Sequence, residues 1–290
     1  MMPSVDFEEV RPVLLGLAYR LLGSMWDAED VVQDAWLRWD GVDRSEVREP
    51  RAFLITVVSR LALDQLRSAR VKREAYTGPW LPEPITTDEA GPLDTAELRD
   101  TVSFATLHMM ERLAPPERAV FVLREAFELP YDEIAGIVGV SVVNARQMYR
   151  RASVRLADGR GRFRPTTEEH GRLLRRFMEA ASGGDLATLT EMLHEDVVLY
   201  NDGGGRVRAA LRPIFGRRKA AAFIAGLRAR YDFSAARILE ANGQPAIWAR
   251  IAGTEQLITL DVRDGLVHAI YGVLNPDKLQ RVRPTRAADL

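Results

Sequence analysis

The 290-residue sequence has no cysteine, which excludes a disulfide framework and any thiolate metal site. It has no apolar run near the roughly 18 residues that a membrane-crossing helix needs. Its opening, MMPSVDFEEVRPV, is acidic and lacks the basic-then-apolar layout of a secretory signal. Internal repeats and low-complexity tracts are missing too. The cytoplasm is therefore the default compartment, and no membrane partner is expected. Lysine is scarce, with three (Lys72, Lys219, Lys278) among 40 basic residues, so nearly all positive charge is guanidinium. His108, His170 and His194 fall in helical or loop contexts without metal-ligand spacing, so no metal or cofactor is expected.

What is present fits a globular protein of about two domains, 47% hydrophobic and 28% charged. Charge is unevenly spread. Residues 1–160 carry a net −6 and residues 161–290 a net +5, so the two parts attract.

Three helices are predicted within residues 1–75. Val10, Val13, Leu14, Leu17, Ala18 and Leu21 form a helical stripe from Phe7 to Leu22, broken by Gly23-Ser24. Asp27 is the expected N-cap of the second helix, with Asp30 in a near capping box. That helix carries Val31, Val32, Ala35, Trp36 and Trp39 at helical spacing, and Trp36 reads as core. A polar loop over residues 41–50 leads to a third helix from Arg51 to Lys72. Residues 76–96 hold four prolines and two glycines and read as a linker.

Residues 97–160 are helical again. Pro115-Pro116 begin a helix where proline is tolerated. In YDEIAGIVGVSVVNARQMYRRASVRL, one helix from Tyr131 ends at Gly139, and Ser141 caps another, Val142 to Leu156. This is a helix-turn-helix pattern. The second helix carries Asn144, Arg146, Gln147, Arg150, Arg151 and Arg155 with no acid. Arg suits guanine edges, and Asn or Gln suits adenine. The first turns of such a helix enter the major groove. That makes Val142, Val143, Asn144, Arg146 and Gln147 the base-facing group, with Arg150, Arg151 and Arg155 on phosphates. A plain solvated basic face is the alternative. A second basic cluster holds Arg44, Arg48, Arg51, Arg60, Arg67, Arg70, Lys72 and Arg73, a net +5 after Glu46, Glu49 and Asp64. Two basic helical modules joined by a linker suit a long DNA target read at two places.

LLGSMWDAEDVVQDAWLRW, PRAFLITVVSRLALDQLRSAR and LAPPERAVFVLREAFELPYDEIAGIVGVSVVNARQMYRRA resemble domains two and four of the extracytoplasmic-function sigma factors. WLPEP in the linker, DGGG at Asp202 to Gly205 and NPDKL at Asn275 to Leu279 resemble the subgroup with a C-terminal SnoaL-like extension. The resemblance implies two all-α sigma domains followed, over residues 161–290, by a cone-shaped α+β domain of SnoaL-like (NTF2-like) fold. It implies a non-enzymatic protein whose partners are core RNA polymerase and promoter DNA. Asp27, Glu29, Asp30, Gln33, Asp34 and Arg38, with Trp36, correspond to the polymerase-docking face. Residues 41–50 correspond to the loop that captures a flipped promoter base, at an unstacking cost of a few kcal/mol. The helix from Arg51 corresponds to the part that grips the downstream element, with Arg60, Arg67 and Arg70 near phosphates and Asp64 pairing within the domain. The helix from Ser141 corresponds to the reader of the upstream element.

In the last domain, Leu173 to Ala181 and Leu186 to Met192 read as helices. Strand-like segments follow: VVLYND, AALRPIFG, ARILEANGQPAIWARIAG and EQLITLDVRDGLVHAIYGVL. The last contains a hairpin turn at Arg263-Asp264-Gly265, and an antiparallel arrangement is expected. Tyr200, Asp202, Trp248, His268 and Tyr271 are the residues that could line the cavity of such a fold and serve chemistry or a small-molecule ligand. His268 also reads as a plain strand histidine. Three roles for the domain stay open: a switch, a ligand sensor and a residual enzyme.

Proline spacing in PWLPEP pre-extends the segment. Trp80 and Leu81 are expected to be buried against the C-terminal domain, with Pro82 and Pro84 beside them and Glu83 paired to an Arg. Local packing on the flanking helices is the alternative. Gly203, Gly204 and Gly205 allow positive φ and close approach, and Asp202 is expected to accept from their amides. The resemblance implies Lys after the glycines. Arg206 stands there, which keeps the charge but not the geometry. Pro276 turns the chain, leaving Asp277 and Lys278 for polar contacts.

Overall fold

The computed structural model describes residues 7–86, 101–157, 165–231 and 233–282. The later part of the expected linker, the start of the second helical module at residues 97–100 and the GRGRF stretch fall outside them. Contacts divide the chain into two compact units. Residues 7–74 and 101–157 form the first, and residues 75–86 and 165–282 form the second.

The first unit is helical: α1 (Phe7–Leu22), α2 (Met25–Asp40), α3 (Pro50–Glu74), α4 (Phe104–Met110), α5 (Pro115–Glu125), α6 (Tyr131–Val138) and α7 (Val142–Ala157). A 3-10 turn, Arg44–Glu46, interrupts the loop before α3. The apolar stripes of α1 to α3 close on one core through Leu14, Leu17, Leu21, Val31, Ala35, Leu54 and Val58. Each leucine or valine among them contributes about 1.5–3 kcal/mol. Two expectations for α2 are corrected. Ser24, not Asp27, is the N-cap: its hydroxyl accepts from the Asp27 N–H at 3.3 Å. Asp27 instead accepts from Gln65 Nε2 of α3 at 2.9 Å. Trp39 is the core tryptophan and meets Phe53 at 5.8 Å, whereas Trp36 is 44% exposed. The helical stripe runs Val31, Val32, Ala35, Trp39, and Trp36 lies just off it.

The second unit is α+β. Helices α8 (Thr167–Gly183), α9 (Leu186–Met192) and α10 (Arg217–Arg230) back a sheet of β1 (Leu193–Asp202), β2 (Ile214–Phe215), β3 (Phe233–Ala241), β4 (Gln244–Ile251), β5 (Thr254–Arg263) and β6 (Leu266–Val273). Strand order is β2-β1-β6-β5-β4-β3. This is the NTF2-like architecture that the resemblance implied. Three two-residue turns join the last four strands. Each pairs a left-handed first residue with glycine: Asn242-Gly243, Ala252-Gly253 and Asp264-Gly265. Such turns match the twist of paired strands.

Two features depart from expectation. β1 and β6 run parallel, with Leu199 opposite Ile270. The meander β3 to β6 runs across the sheet until its last strand lies beside β1. AALRPIFG is mostly loop, with only Ile214–Phe215 paired to β1, and α10 follows it unpredicted. The buried face of α10 is Ala220, Ala221 and Ile224, too small and weak a stripe to stand out. The core between helices and sheet includes Leu174, Phe177, Met192, Leu199, Ile247 and Leu260. Among the described residues, no helix is long and apolar enough to cross a membrane.

Candidate nucleic-acid interface and the linker contact

Gly139, in the left-handed region at φ 77°, ends α6 with its N–H on Ala135 O. Ser141 Oγ then accepts from the Asn144 N–H at 3.2 Å and starts α7. Ala145, Ala152 and Leu156 bury one face of α7. The opposite face exposes Val142, Val143, Arg146, Gln147 and Arg150, with Asn144 half-buried at its edge. The base-facing residues expected from sequence thus lie together on the early turns of α7. Arg151 and Arg155 were expected on phosphates, and here both are held by Glu117 of α5, at 2.9 and 2.7 Å. Arg146 and Arg124 stand over the Tyr131 ring at 5.6 and 5.1 Å. Tyr149 packs between Phe121 and Tyr131 and donates its hydroxyl to Glu125. Burial and that carboxylate raise its pKa.

On α2 the exposed face carries Asp30, Gln33, Asp34, Trp36, Leu37 and Arg38, with Glu29 half-buried. Trp26 and Leu37, exposed at 52% and 56%, add apolar surface that the polar reading of this helix missed. In the downstream cluster, Arg44 lies over Trp39 at 5.4 Å and 3.8 Å from Asp40. Arg48 and Arg51 are exposed. Arg60 donates to Gly136 O at 3.0 Å, and Arg67 pairs with Asp64 at 2.9 Å. The side chain of Arg70 lies outside the described residues. A cleft of about 1000 Å³ in this unit brings Arg51 and Ile55 of α3 to the same space as Phe127 and Tyr149.

Sequence reasoning assigned no role to Glu111 or Arg118 and counted Arg73 in the basic cluster. Glu111 sits just after α4 and takes Arg73 of α3 with one oxygen and Arg118 of α5 with the other. Arg73 also donates to Leu22 O at 2.6 Å, and Arg118 to Arg20 O at 3.3 and 3.2 Å. Arg20 is buried and donates to Thr101 Oγ1 at 2.8 Å, and desolvation lowers its pKa to about 10. The network ties the two helical modules of this unit together. Its only sequence signal is the PPER run, which places Arg118 without stating its partner.

In the second unit the linker segment lies on the C-terminal domain. Leu81 to Ile85 are buried, and Leu81 and Ile85 are wholly so. Asp202, at the end of β1, accepts from Tyr76 Oη at 2.7 Å, the Leu81 N–H at 2.9 Å and Lys278 Nζ at 2.7 Å. Its carboxylate thus reaches the linker and not the glycine amides. Burial and the Asp202 contact push the Tyr76 pKa well above the usual tyrosine range. Lys278 Nζ also donates to Leu81 O and stands over the Trp80 and Tyr76 rings at 4.3 and 4.9 Å. Trp80 is half-buried, less than expected, because it covers Lys278. Farther along, Ile85 and Asn242 exchange two hydrogen bonds of 3.2 and 3.0 Å. Glu83 lies 3.4 Å from Arg281.

Within DGGG, Gly204 makes room for this contact and Gly203 for the fold of its own loop. A Cβ at Gly203 would stand 2.7 Å from Val207 O, and one at Gly204 would stand 2.3 Å from Asn275 Nδ2 and 2.8 Å from Tyr76 Oη. Asn275 Nδ2 donates to Tyr76 Oη at 3.0 Å, and its Oδ1 accepts from the Asp277 N–H across the Pro276 turn. Leu279 is buried. Arg206, in place of the expected lysine, pairs with Asp277 at 3.0 Å on the surface.

The five cavity candidates do not converge, since Asp202 is taken up by the linker contact. Strand alternation puts Ile247 and Ala249, Leu199, and Ile270 under the helices. Trp248, Tyr200 and Tyr271 therefore point to the other face, where the two tyrosines stack at 5.6 Å. His268 stacks on His194 at 4.2 Å, and His194 lies on β1, not in a helix or loop. Desolvation and then His194 lower the His268 pKa. Among the described residues no three His, Asp or Glu side chains gather as a metal site.

A capped helix with exposed arginines on one helical module, and a basic cluster over residues 44–73 on the other, fit a transcription-initiation subunit. The comparisons agree. The family Sigma-70 region 2 matches residues 7–71, and Sigma-70, region 4 matches residues 103–156. The chain is 38% identical to the ECF RNA polymerase sigma factor SigJ of Mycobacterium tuberculosis, over 97% of this chain and 96% of that protein. It is 32% identical to the probable ECF RNA polymerase sigma factor SigI of the same species, over 94% and 93%. The crystal structure of the M. tuberculosis SigJ matches with a TM-score of 0.76 at 37% identity, covering 94% of this chain and 96% of that one. The chain belongs to the extracytoplasmic-function sigma factors of the sigma-70 family. It binds core RNA polymerase, directs it to promoter DNA and is not an enzyme.

Proposed function

We propose that the C-terminal α+β domain modulates this sigma factor by holding the linker between its two promoter-reading modules. One observation carries the reading. Asp202 gathers Tyr76, the Leu81 amide and Lys278 around one buried carboxylate. A linker fixed at Leu81 and at Ile85 loses slack, and slack governs which separations the modules can reach. In the same reading the exposed face of α7, from Val143 to Arg150, reads the upstream element. Arg44, Arg48 and Arg51 serve the downstream element, and the α2 face from Asp30 to Arg38 docks on polymerase in the cytoplasm.

The test is in vitro transcription with core RNA polymerase, comparing the full chain with Asp202→Ala and with Asp202→Asn. Linker release is followed in parallel by limited proteolysis. Initiation should change in both variants as the linker becomes cleavable. Unchanged initiation with a released linker would sink the proposal.

A further inference from the structure

The second unit contains a long stretch without a single acid. Between Asp202 and Asp232 stand Arg206, Arg208, Arg212, Arg217, Arg218, Lys219, Arg228 and Arg230. Two of these eight cations have partners. Arg206 pairs with Asp277, and Arg228 donates to Ser182 O at 2.6 Å. The other six have no hydrogen bond or ion pair with any described residue, and five of them are exposed, Arg217 being half-buried. Arg217, Arg218 and Lys219 occupy the first turn of α10, the pole of the helix dipole that repels cations. No acid lies three or four residues away on α10 to offset them. Folding alone gains nothing from this arrangement. Between the cations, the outward positions of α10 are Ala222, Ala225, Gly226 and Ala229, so a large partner can come close to the backbone. Phe215 and Leu211 are exposed at 62% and 65% between Arg208 and Arg217, an apolar and aromatic interleaving that nucleic-acid surfaces share.

We infer that the surface built by residues 203–231 binds the phosphate backbone of promoter DNA, giving this sigma factor a third, sequence-independent DNA contact on its C-terminal domain. A polyanion of regular charge spacing matches six unpartnered cations spread over a loop and both ends of a 14-residue helix. The two helical modules already bring such a polyanion to the molecule. The inference is independent of the linker proposal, since none of these six residues takes part in the Asp202 contact.

The test measures holoenzyme binding to a duplex promoter fragment and to a scrambled duplex of the same length, from 50 to 200 mM salt. Core polymerase with the full wild-type chain is compared with the combined variant R208Q, R212Q, R217Q, R218Q and K219Q. If three of the five cations touch phosphate, the slope of log K against log salt becomes shallower by roughly 2.7 on both duplexes. Affinity at low salt then falls by at least roughly tenfold. The charge-preserving variant R217K, R218K should keep the wild-type slope, which separates charge from misfolding. An unchanged slope in the five-fold variant overturns the inference. So does a change confined to the promoter sequence, which would mean base reading. Loss of binding to vesicles rich in anionic phospholipid, with the DNA slope intact, overturns it in favour of a membrane surface. The two proposals have separate readouts, initiation with cleavage at residues 79–86 for the linker and the salt slope for this surface, so either can fail without the other.

Discussion

Two carboxylates organise the two units, and they do so differently. Asp202 is wholly buried and collects a phenol, a backbone amide and an ammonium from chain segments far apart in sequence. Glu111 is 17% exposed and is shared by two guanidinium groups, each of which also holds a backbone carbonyl. At the first site the phenol and the Leu81 amide have Asp202 as their acceptor, and only Lys278 holds a second one, Leu81 O. At the second site both cations have a fallback. A buried charge network is fragile in proportion to how few alternatives its members have, because the cost of breaking it is the cost of the groups left unpaired.

The largest expected effect follows at Asp202. Asp202→Ala leaves Lys278, 13% exposed at its side chain, without its counter-charge, and strands the Leu81 amide. Breaking such a pair costs about 3–5 kcal/mol, seen as a lower Tm of the second unit and rapid cleavage near residues 79–86. A loss under about 1 kcal/mol would place Asp202 among surface pairs and erase the contrast with Glu111.

Next in size is a pH effect beside Glu111. Burial holds the His108 pKa near 4, below its ordinary 6.5. Arg112 lowers it further and Glu111 opposes the shift. Between those values the unfolded chain binds a proton that the folded chain refuses. His108 thus contributes stability in full above pH 6.5, and this is lost as pH falls towards 4, to a total of about 3 kcal/mol. Against the wild type, His108→Gln should flatten Tm over that window. A parallel fall in both proteins would refute it. Glu111→Gln should cost less, about 1–3 kcal/mol, because Arg73 keeps Leu22 O and Arg118 keeps Arg20 O. A cost equal to that of Asp202→Ala would break the comparison, and paired thermal melts decide it.

The contrast extends to what the sequence reveals. Asp202 is legible because its partners lie in short, odd stretches: PWLPEP in a polar linker, three successive glycines and NPDKL after the last strand. Each stretch spends residues that a simple loop would not use. Helices α1, α6 and α7 are legible too, since stripe, glycine stop and serine cap act within one turn. Glu111 is hidden because Arg73 and Arg118 sit at ordinary helix positions, and only tertiary contact makes them a set. Helix α10 is hidden because alanines form its buried face while arginines crowd its start. The parallel pairing of β1 and β6 is a property of the whole path, which no local pattern holds. Trp36 and Trp39 differ by a rotation of the helix that spacing alone resolves poorly.

The smallest effect tests whether the aromatic of WLPEP matters beside the carboxylate. Lys278 Nζ sits between the Trp80 and Tyr76 rings while held by Asp202 and Leu81 O. Trp80→Ala removes one ring face but leaves the counter-charge, the carbonyl and the second ring. One cation–π contact of this kind is worth about 1 kcal/mol, equivalent to a roughly fivefold change in the open population of the linker. Trp80→Phe keeps a ring under the ammonium and should recover most of it. Cleavage rates within residues 79–86 give the readout, since Leu81 and Ile85 remain anchored by backbone hydrogen bonds in both variants. If Trp80→Ala releases the linker as fully as Asp202→Ala, the tryptophan and not the carboxylate is the centre of the contact. The division between a site with one indispensable acceptor and a site with fallbacks would then have to be redrawn around the ring.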